Sequence, residues 1–408
     1  MKRVVITGMG AITPVGNSVP EFWESLVNGK NGIDTITYFD VSELKFKLAA
    51  EVKNFDAIER LGKMTARKVD LFVQYALCAA DEAMADSGLA DKIEKSELGV
   101  YFGSGIGGIN TLCKEHEGLL SQGFRKVTPQ FVPKMIYNIA AGNIAIRFGA
   151  TGPNMAVSTA CATGTTAIGE AYRAIAGGYA TAIIAGGSEA AVVPLTLAGF
   201  GNCLALSPSE DKDAASIPFD KRREGFVMGE GAGALVLEEY EHAVARGAHI
   251  YAEVSGYGAT CDAYHVTAPS PDTANTARCI RQAVADEKFA PDKIYFNAHG
   301  TGTPMNDKTE TAAIKAAFGA DASKIHISST KSMTGHMLGA AGAVEAIAAI
   351  KALETGIVPP TINLKEKDEE CDLDYTPENA ISCDIELALS NSLGFGGHNA
   401  CVAFKKVK

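Results

Sequence analysis

The sequence predicts an α/β protein with mainly parallel central strands. Short runs rich in Val, Ile and Ala alternate with longer Ala-rich amphipathic stretches, as expected when strands are followed by covering helices. The 42 glycines gather in tight clusters, which indicates places where the backbone approaches a neighbour or a ligand closely. No low-complexity segment and no long Pro/Ser linker interrupts the alternation.

The periodicity places the elements in order along the chain. Predicted strands cover residues 4–6, 98–102, 182–185, 233–238, 251–258, 295–298 and 401–404. Predicted helices cover residues 19–28, 68–87, 164–176, 273–287, 307–318 and 339–354. The apolar stretch 180–200 contains glycines, Glu189 and Pro194, so we interpret it as strand and loop and not as a membrane span.

The chain divides into two predicted halves, residues 1–249 and 250–408. The second half opens with IYAEVSGYGAT, which loosely echoes VVITGMGAITP at the start of the first. A duplicated α/β unit would explain the length of 408 residues and the absence of a linker. A chance similarity between two short segments is the alternative.

Composition and charge narrow the class of protein. Hydrophobic residues make up 47% and charged residues 21%, and the first strand follows directly on MKR with no signal-peptide pattern. We therefore expect a soluble, cytoplasmic protein without a membrane segment. The nine cysteines form no CxxC pair, which favours a reducing compartment over disulfides or a zinc site. A net charge of −11 disfavours nucleic-acid binding.

The segment 155–175, MAVSTACATGTTAIGEAYRAI, places Cys161 between strand-like residues and a helix. The positive end of the helix dipole and the free N–H groups there are expected to lower the thiol pKa from about 8.5. The N–H of Cys161 could also stabilise an oxyanion. A buried structural cysteine is the alternative, and the small residues around Cys161 favour a nucleophile.

A second segment, FNAHGTGTPMND, carries His299 at the end of a predicted strand. Strand ends are where α/β enzymes place their chemistry. Thr301 and Thr303 follow on the same turn and could hydrogen-bond an elongated polar ligand. A loop histidine without a chemical role is the alternative.

A third segment, SSTKSMTGHMLGAAGAVEAIAAI, carries Lys331 and His336 on either side of a turn. Glu345 is an isolated charge on the apolar helix that follows, and we expect it to pair with Lys331. A surface lysine and a helix-capping histidine are the alternatives.

A fourth segment, SNSLGFGGHNACVAF, surrounds Phe395 with glycines. The ring of Phe395 could therefore act as a gate, and its N–H could act as an oxyanion donor. A core phenylalanine at a glycine turn is the alternative.

The segment GSGIGGIN contains GxGxxG but lacks the acidic residue that a dinucleotide site needs. We interpret that segment as a turn that lines the pocket. No metal or nucleotide motif is found.

Together, TACATG, NAHGTGTPMND, STKSMTGHMLGAAGAVEAI and NSLGFGGHN resemble the β-ketoacyl-[acyl-carrier-protein] synthases, and especially their bacterial type II elongating members. The likeness runs over essentially the whole chain. It implies the thiolase fold, in which two related βαβαβαββ halves form a five-layer αβαβα sandwich, usually as a homodimer. It also implies an acyltransferase of fatty acid biosynthesis that condenses an acyl-enzyme with malonyl-acyl carrier protein. Such enzymes bind no cofactor or metal of their own for this chemistry, and the phosphopantetheine of acyl carrier protein carries the substrates.

The resemblance assigns catalytic roles by position. Cys161 would accept the acyl group, and its N–H and that of Phe395 would form the oxyanion hole. His299 and His336 would bind the malonyl thioester carbonyl and stabilise the enolate. Lys331 would support His299, and Phe395 would separate the two half-reactions.

The resemblance also assigns residues that bind substrate. Glu345 would assist Lys331, while Thr301 and Thr303 would bind the phosphopantetheine arm. The residues that would line the acyl pocket are Ile106 and Phe200, with Phe131 of the partner subunit at its far end.

Two basic groups are candidates for docking acidic acyl carrier protein, in its acyl and malonyl forms. They are Lys63, Arg67 and Lys68 at the start of a predicted helix, and Arg125 with Lys126. Solvated surface charge is the alternative. Leu204 stands where relatives carry arginine, so we expect a weaker or shifted docking surface.

The rival classes differ in their catalytic sets. A thiolase would have a second cysteine in place of His336, and Cys401 falls too late for that role. An initiating synthase would use Cys-His-Asn. A polyketide ketosynthase would use the same chemistry on another substrate, and a non-catalytic chain-length subunit would lack Cys161.

Overall fold

The structure is a computed structural model that describes residues 1–285 and 288–407. Its strands are β1 Val4–Ile12, β2 Asp34–Thr35, β3 Leu48–Ala49, β4 Leu98–Gly103, β5 Asn154–Met155, β6 Ala182–Glu189, β7 Gly231–Glu239, β8 Ala252–Cys261, β9 Ile294–Asn297, β10 His326–Ser328, β11 Ile357–Val358, β12 Ile381–Ser382, β13 Leu387–Gly394 and β14 His398–Lys405.

The helices of the same residues are α1 Val19–Val27, α2 Ala57–Leu61, α3 Lys63–Lys68, α4 Leu71–Ser87, α5 Ile109–Gln122, α6 Phe131–Met135, α7 Ile139–Phe148, α8 Thr163–Ala176, α9 Pro194–Asn202, α10 Lys212–Ala215, α11 Tyr240–Ala245, α12 Ala274–Val284, α13 Pro304–Phe318, α14 Lys331–Thr334 and α15 Ala341–Thr355. Single 3₁₀ turns at Ala160–Ala162 and Leu338–Ala340 precede α8 and α15.

The long strands form a sheet whose two halves repeat the same order. In the part of the chain that is described, the 10-stranded sheet runs β10-β9-β13-β14-β8-β1-β7-β6-β4-β5. The order β5-β4-β6-β7-β1 therefore matches β10-β9-β13-β14-β8, strand for strand. The two segments that echo each other in sequence lie in β1 and β8, which occupy equivalent positions, so the repeat is structural.

The sheet is mixed, and the prediction of mainly parallel strands was wrong. β4 pairs in parallel with β5 and β6, as β9 does with β10 and β13. The strands β7 and β14 instead run antiparallel to both of their neighbours. β13 and β14 are joined by a tight turn through Phe395, and a tight turn permits only antiparallel pairing.

Five layers result from the way the helices cover the sheet. Helices α8 and α15 pack between the two halves of the sheet and share one buried cluster with both. Helices α4 and α7 cover the outer face of the first half, and α12 and α13 cover that of the second. The two central helices pack against each other so closely that a Cβ added at Gly164 would lie 2.5 Å from the backbone nitrogen of Ala343.

Each predicted strand overlaps an observed one, and most observed strands are longer than predicted. The predicted helix 68–87 is divided: Lys63, Arg67 and Lys68 lie on the separate helix α3, and α4 begins after Asp70, whose carboxylate caps it. Val69 and Asp70 have extended backbone, which ends α3, and the Asp70 carboxylate accepts from the N–H of Phe72 in the first turn of α4.

Two further predictions need correction. The region 180–200 was interpreted as strand and loop, yet Pro194 begins helix α9 because proline suits the first helical position. The sequence predicted a helix over 273–287, and α12 spans Ala274–Val284; residues 286 and 287 of that prediction lie outside the described residues. Over residues 1–285 and 288–407, the helices are too short or too polar to cross a membrane.

Candidate active site

Cys161 lies in the 3₁₀ turn that leads into α8. Ala160, just before it, has a positive φ of 50°, a strained conformation that is fixed by local hydrogen bonds. The Thr163 hydroxyl donates to the carbonyl of Ala160 (2.7 Å) and accepts from the N–H of Thr159 (2.9 Å). The turn is therefore held from both sides, with Cys161 at its centre.

The β13–β14 turn packs directly on this turn. A Cβ added at Gly394 would lie 2.5 Å from the Thr159 carbonyl oxygen and 3.4 Å from the Cys161 nitrogen, so only glycine permits the approach. The backbone N–H of Phe395 faces the Cys161 sulfur and lowers the pKa of the thiol. The nucleophile candidate and the gate candidate are consequently in contact.

The thiol of Cys161 is a weak acid in this structure. Only 9% of the residue is exposed, and burial raises the thiol pKa to about 12, opposed by the charge of Lys331 and by the N–H of Phe395. The prediction of a lowered pKa was wrong, because withdrawal of the sulfur from water outweighs the donors at the start of α8. The thiol must therefore give up its proton to a base when it reacts.

Two buried histidines share the same cavity. His299 follows β9, and His336 lies in the turn after α14; their ring centroids are 5.3 Å apart and the rings are nearly perpendicular. Burial, and then the charge of Lys331, hold the pKa of each imidazole well below its usual range. Within the described residues, neither Nδ1 atom has a hydrogen-bond partner. Both imidazoles are neutral, and each can present one N–H to a ligand.

Lys331 and Glu345 form an ion pair behind the histidines, as predicted from the sequence. Both residues are almost fully buried, and the Lys331 ammonium donates to the Glu345 carboxylate. Burial raises the pKa of Glu345, and the charge of Lys331 opposes that rise. The pair keeps a positive charge close to Cys161 and to both imidazoles.

Glu310 fixes the turn that carries His299, and no sequence motif identified it. The N–H groups of His299 and Gly300 each donate to its carboxylate at 2.8 Å, and Asn391 Nδ2 donates at 2.7 Å. Burial raises the pKa of Glu310 to about 7. Its position is set by α13 packing under the loop, which sequence spacing alone does not reveal.

These groups surround an open cavity of about 660 Å³. Of the residues selected from the sequence, the structure places seven in its wall: Cys161, Phe200, His299, Thr301, Thr303, His336 and Phe395. The hydroxyls of Thr301 and Thr303 are 3.0 Å apart. The wall also contains residues that the sequence did not single out: Phe226, Asp262, Thr267, Asn306 and Asn399.

An aromatic row connects the gate to the histidines. The ring centroids of Phe395 and Phe200 are 6.3 Å apart, those of Phe200 and Phe226 are 5.5 Å apart, and those of Phe226 and His336 are 5.1 Å apart. The four rings therefore form one continuous row from Phe395 to His336.

Two pocket candidates lie outside the cavity wall. Ile106 packs in the apolar cluster that contains Cys161 and Phe200. Phe131 begins α6 at the surface and is only partly buried, and within the described chain it is not part of the cavity wall.

The basic docking candidates are all exposed. Lys63, Arg67 and Lys68 lie on α3, whereas Arg125 and Lys126 lie in a 3₁₀ turn after α5. Leu204 is 81% exposed. In the described parts of the chain, no group of three or more His, Cys, Asp or Glu side chains could hold a metal ion.

The fold and the cavity are those of a condensing enzyme. The family model for the beta-ketoacyl synthase N-terminal domain matches residues 1–243, and that for the C-terminal domain matches residues 251–365. The chain belongs to the β-ketoacyl synthase family.

Similar proteins refine this class. The 3-oxoacyl-[acyl-carrier-protein] synthase 2 of Synechocystis sp. is 51% identical over 408 residues, which is 99% of this chain and 98% of the relative. The crystal structure of a β-ketoacyl synthase from Burkholderia phymatum has a TM-score of 0.91 and 37% identity, with 100% of both chains covered. A type II polyketide ketosynthase, solved in complex with its acyl-carrier protein and bound to the hexaketide, has a TM-score of 0.90 and 37% identity, also with full coverage of both chains.

Proposed function

We propose that this protein is a 3-oxoacyl-[acyl-carrier-protein] synthase that elongates fatty acyl chains by decarboxylative Claisen condensation. The observation that carries this proposal is the meeting of Cys161, two neutral histidines and the Phe395 N–H on one cavity. The 51% identity to a synthase 2 over nearly the whole chain supports the fatty acid substrate. It exceeds the 37% identity to the polyketide ketosynthase, which supplies the second candidate substrate class.

In the first half-reaction, Cys161 attacks the thioester of acyl carrier protein. Its proton passes to a base, and the neutral imidazoles in the cavity are the groups able to accept it. The N–H groups of Cys161 and Phe395 stabilise the tetrahedral oxyanion. The phosphopantetheine thiolate leaves and is protonated, and the acyl group remains on the enzyme.

In the second half-reaction, malonyl-acyl carrier protein enters the same cavity. His299 and His336 donate to its thioester carbonyl, and the electron pair of the breaking C–C bond moves into the enolate as CO₂ departs. The enolate carbon then attacks the acyl thioester and expels the Cys161 thiolate. Burial, and then the charge of Lys331, keep both imidazoles uncharged, so that they bind the carbonyl as neutral donors.

The remaining residues of the site bind and order the substrates. Thr301 and Thr303 hold the phosphopantetheine arm, and the Phe395 ring separates the two half-reactions. Phe200 and Ile106 border the acyl chain, with Phe131 of the partner subunit at the far end of the pocket. No cofactor bound by the enzyme takes part.

The assembly consists of two copies of the chain and acyl carrier protein. The terminal strand of the sheet, β5, is exposed, and such an edge can pair with a second copy. Large apolar side chains are also exposed around α5, at Leu120 (74%) and Phe124 (86%), which supports a homodimer. Each copy divides near residue 249 into halves 1–249 and 250–408, and the enzyme acts in the cytoplasm.

Acyl carrier protein docks on the basic residues of α3 and of the turn after α5. Lys63, Arg67 and Lys68 lie together on α3, and Lys134 of α6 donates to the carbonyl of Arg67 at 2.8 Å. This bond ties the two helices into one surface. Leu204 is exposed and carries no charge, so electrostatic docking rests on α3 and on Arg125 and Lys126.

The deciding experiment is the intact mass of the protein after incubation with acyl carrier proteins bearing fatty acyl chains of several lengths. The mass should rise by one acyl group, and a Cys161→Ala variant should show no gain. Absence of an adduct with every fatty acyl chain contradicts the proposal. Transfer from polyketide-bearing carrier protein alone would then favour the polyketide substrate class.

A further inference from the structure

Glu189, at the C-terminal end of β6, is a buried carboxylate without a role in the chemistry proposed above. It is 0% exposed, and every bond it makes is to a donor. Its Oε1 accepts from the Ser104 hydroxyl (2.7 Å) and the Ile106 N–H (3.1 Å). Its Oε2 accepts from the N–H groups of Gly105 (2.8 Å) and Gly339 (3.0 Å).

These four donors belong to two loops that pack against each other beside Glu189. Ser104, Gly105 and Ile106 follow β4, whereas Gly339 belongs to the 3₁₀ turn after His336. The loops are too close for side chains, since a Cβ added at Gly339 would lie 2.4 Å from the Gly105 nitrogen. Glu189 adds hydrogen bonds to both loops and so fixes how they sit against each other.

The second half of the sheet contains a comparable arrangement, in which a buried carboxylate holds the turn after the equivalent strand. β4 and β9 occupy equivalent positions in the two halves. In the second half, the turn after β9 is held by Glu310, which accepts two successive N–H groups, those of His299 and Gly300. In the first half, Glu189 accepts two successive N–H groups of the turn after β4, those of Gly105 and Ile106.

We propose that Glu189 is a positioning residue that determines which acyl chain lengths the enzyme accepts, by holding Ile106 in the apolar cluster around Cys161. This inference rests on the proposed function. Ile106, Leu338 and Cys161 belong to one apolar cluster, and Glu189 holds the loop of Ile106 against the turn of Leu338. Leu338 itself has a positive φ of 48°, a strained conformation that needs such a hold.

The hydrogen bonds of Glu189 can be made by a carboxylate but not by an amide. Glutamine would direct an NH₂ group at a backbone N–H, which cannot accept it, so one loop is released. Aspartate keeps the charge but is one methylene shorter and cannot reach both loops. With Ile106 released, the apolar cluster around Cys161 loses its fixed packing, and a long acyl chain, which reaches further into that cluster, loses more binding space than a short one.

The test measures the rate of Cys161 acylation by short-chain and long-chain acyl carrier proteins, followed by intact mass. Both Glu189→Gln and Glu189→Asp should lower the ratio of long-chain to short-chain rates by about tenfold. The matched control is Glu238→Gln, which alters a buried carboxylate that bonds Thr7, His242 and Arg246 instead; its ratio should equal that of the wild type.

The outcomes separate this inference from the proposed function. An unchanged or increased ratio in folded Glu189 variants overturns the inference, while absence of any adduct in the wild type overturns the proposed function. If both Glu189 variants fail to fold, Ser104→Ala removes a single donor. That variant should shift the ratio in the same direction by a smaller factor, and an unchanged ratio there also overturns the inference.

Discussion

The reactivity of Cys161 depends on charges that are buried around it. Burial is the main cause of its raised pKa; the ammonium of Lys331 lowers that pKa, and the carboxylate of Glu189 raises it. In a site of low effective dielectric, neither charge is strongly screened. The free thiol is consequently protonated at neutral pH, and it becomes a nucleophile only when its proton is transferred within the site.

Glu189→Gln should therefore lower the pKa of the Cys161 thiol, whereas Glu189→Asp should leave it closer to that of the wild type. The measurement is the rate of alkylation by iodoacetamide against pH, read from the Cys161 peptide because Cys203 and Cys261 are exposed. The midpoint should move to lower pH in the glutamine variant only. Equal midpoints in wild type and Glu189→Gln would contradict an electrostatic effect of Glu189 on the thiol.

The two histidines should make stability fall as the pH drops. Their pKa values are held well below 6.5 in the folded protein, first by burial, so the unfolded chain binds more protons once the pH is below about 6.5. Each histidine thus removes up to ~1.4 kcal/mol of stability per pH unit below that value.

The check is urea unfolding of the wild type, His299→Asn and His336→Asn at pH 7.5 and 5.5. Between these pH values, the wild type should lose about 1 kcal/mol more stability than either variant. Buried carboxylates such as Glu310 act in the opposite direction, but they are present in all three proteins. If the free energy of unfolding changes equally with pH in all three proteins, the imidazoles have ordinary pKa values in the folded protein.

At the scale of residues, the sequence identified groups that sit in recognisable turns. Cys161, His299 and the Lys331–Glu345 pair were all located from local pattern, because each follows a strand or stands alone in an apolar helix. Glu310, in contrast, acts through backbone N–H groups that are remote in sequence, and no local pattern marks such a bond. The raised pKa of Cys161 was missed for a similar reason, since burial is a property of the folded chain.

At the scale of elements, glycines decide how closely the central helices approach the strands. In α8, a Cβ added at Gly169 would lie 2.2 Å from the ring of Tyr257, which is itself buried. In α7, a Cβ added at Gly142 would meet nothing within 4 Å. The two glycines are both helical, so they differ in packing and not in backbone conformation.

Gly169→Ala should destabilise the protein by about 1–3 kcal/mol through overpacking. Gly142→Ala should stabilise it by about 0.5–1 kcal/mol, because alanine has the higher helix propensity. The free energies of unfolding in urea provide the comparison. A change of the same sign in both variants would show that contact with the Tyr257 ring does not limit α8.

The elements themselves were predictable where an amphipathic period covered most of their length, as in α8, predicted over 164–176 and observed at Thr163–Ala176. Helix α9 was missed because Pro194 has two interpretations, as a break or as a first helical residue, and only tertiary packing decides between them. The strand order was beyond the sequence, since β6, which pairs in parallel with β4, and β7, which is antiparallel to both neighbours, are both composed mainly of glycine and small or aliphatic residues. What the sequence did indicate was the repeat of β1 in β8.

At the scale of the whole molecule, the net charge of the chain is opposite in sign to that of the docking surface proposed on α3. The net charge is −11, so an acidic carrier protein is repelled at long range and must be held by local basic residues. α3 presents Lys63, Arg67 and Lys68 to solvent. The interaction should therefore be strongly sensitive to salt, because exposed charges are screened within about 10 Å at 0.1 M ionic strength.

Reversal of two of these charges, in Lys63→Glu with Arg67→Glu, should raise the KM for acyl carrier protein by about fivefold. The rate of Cys161 acylation by a small acyl-pantetheine thioester should not change, since α3 is outside the cavity wall. Lys92→Glu is the matched control: it is an exposed lysine beyond the opposite end of α4, and its KM should equal that of the wild type. The control changes the net charge by half as much as the double variant, so a rise in KM that is half as large on the free-energy scale would mean that net charge alone governs the encounter. A rise confined to the α3 variant, and abolished at high salt, would place the carrier protein on α3.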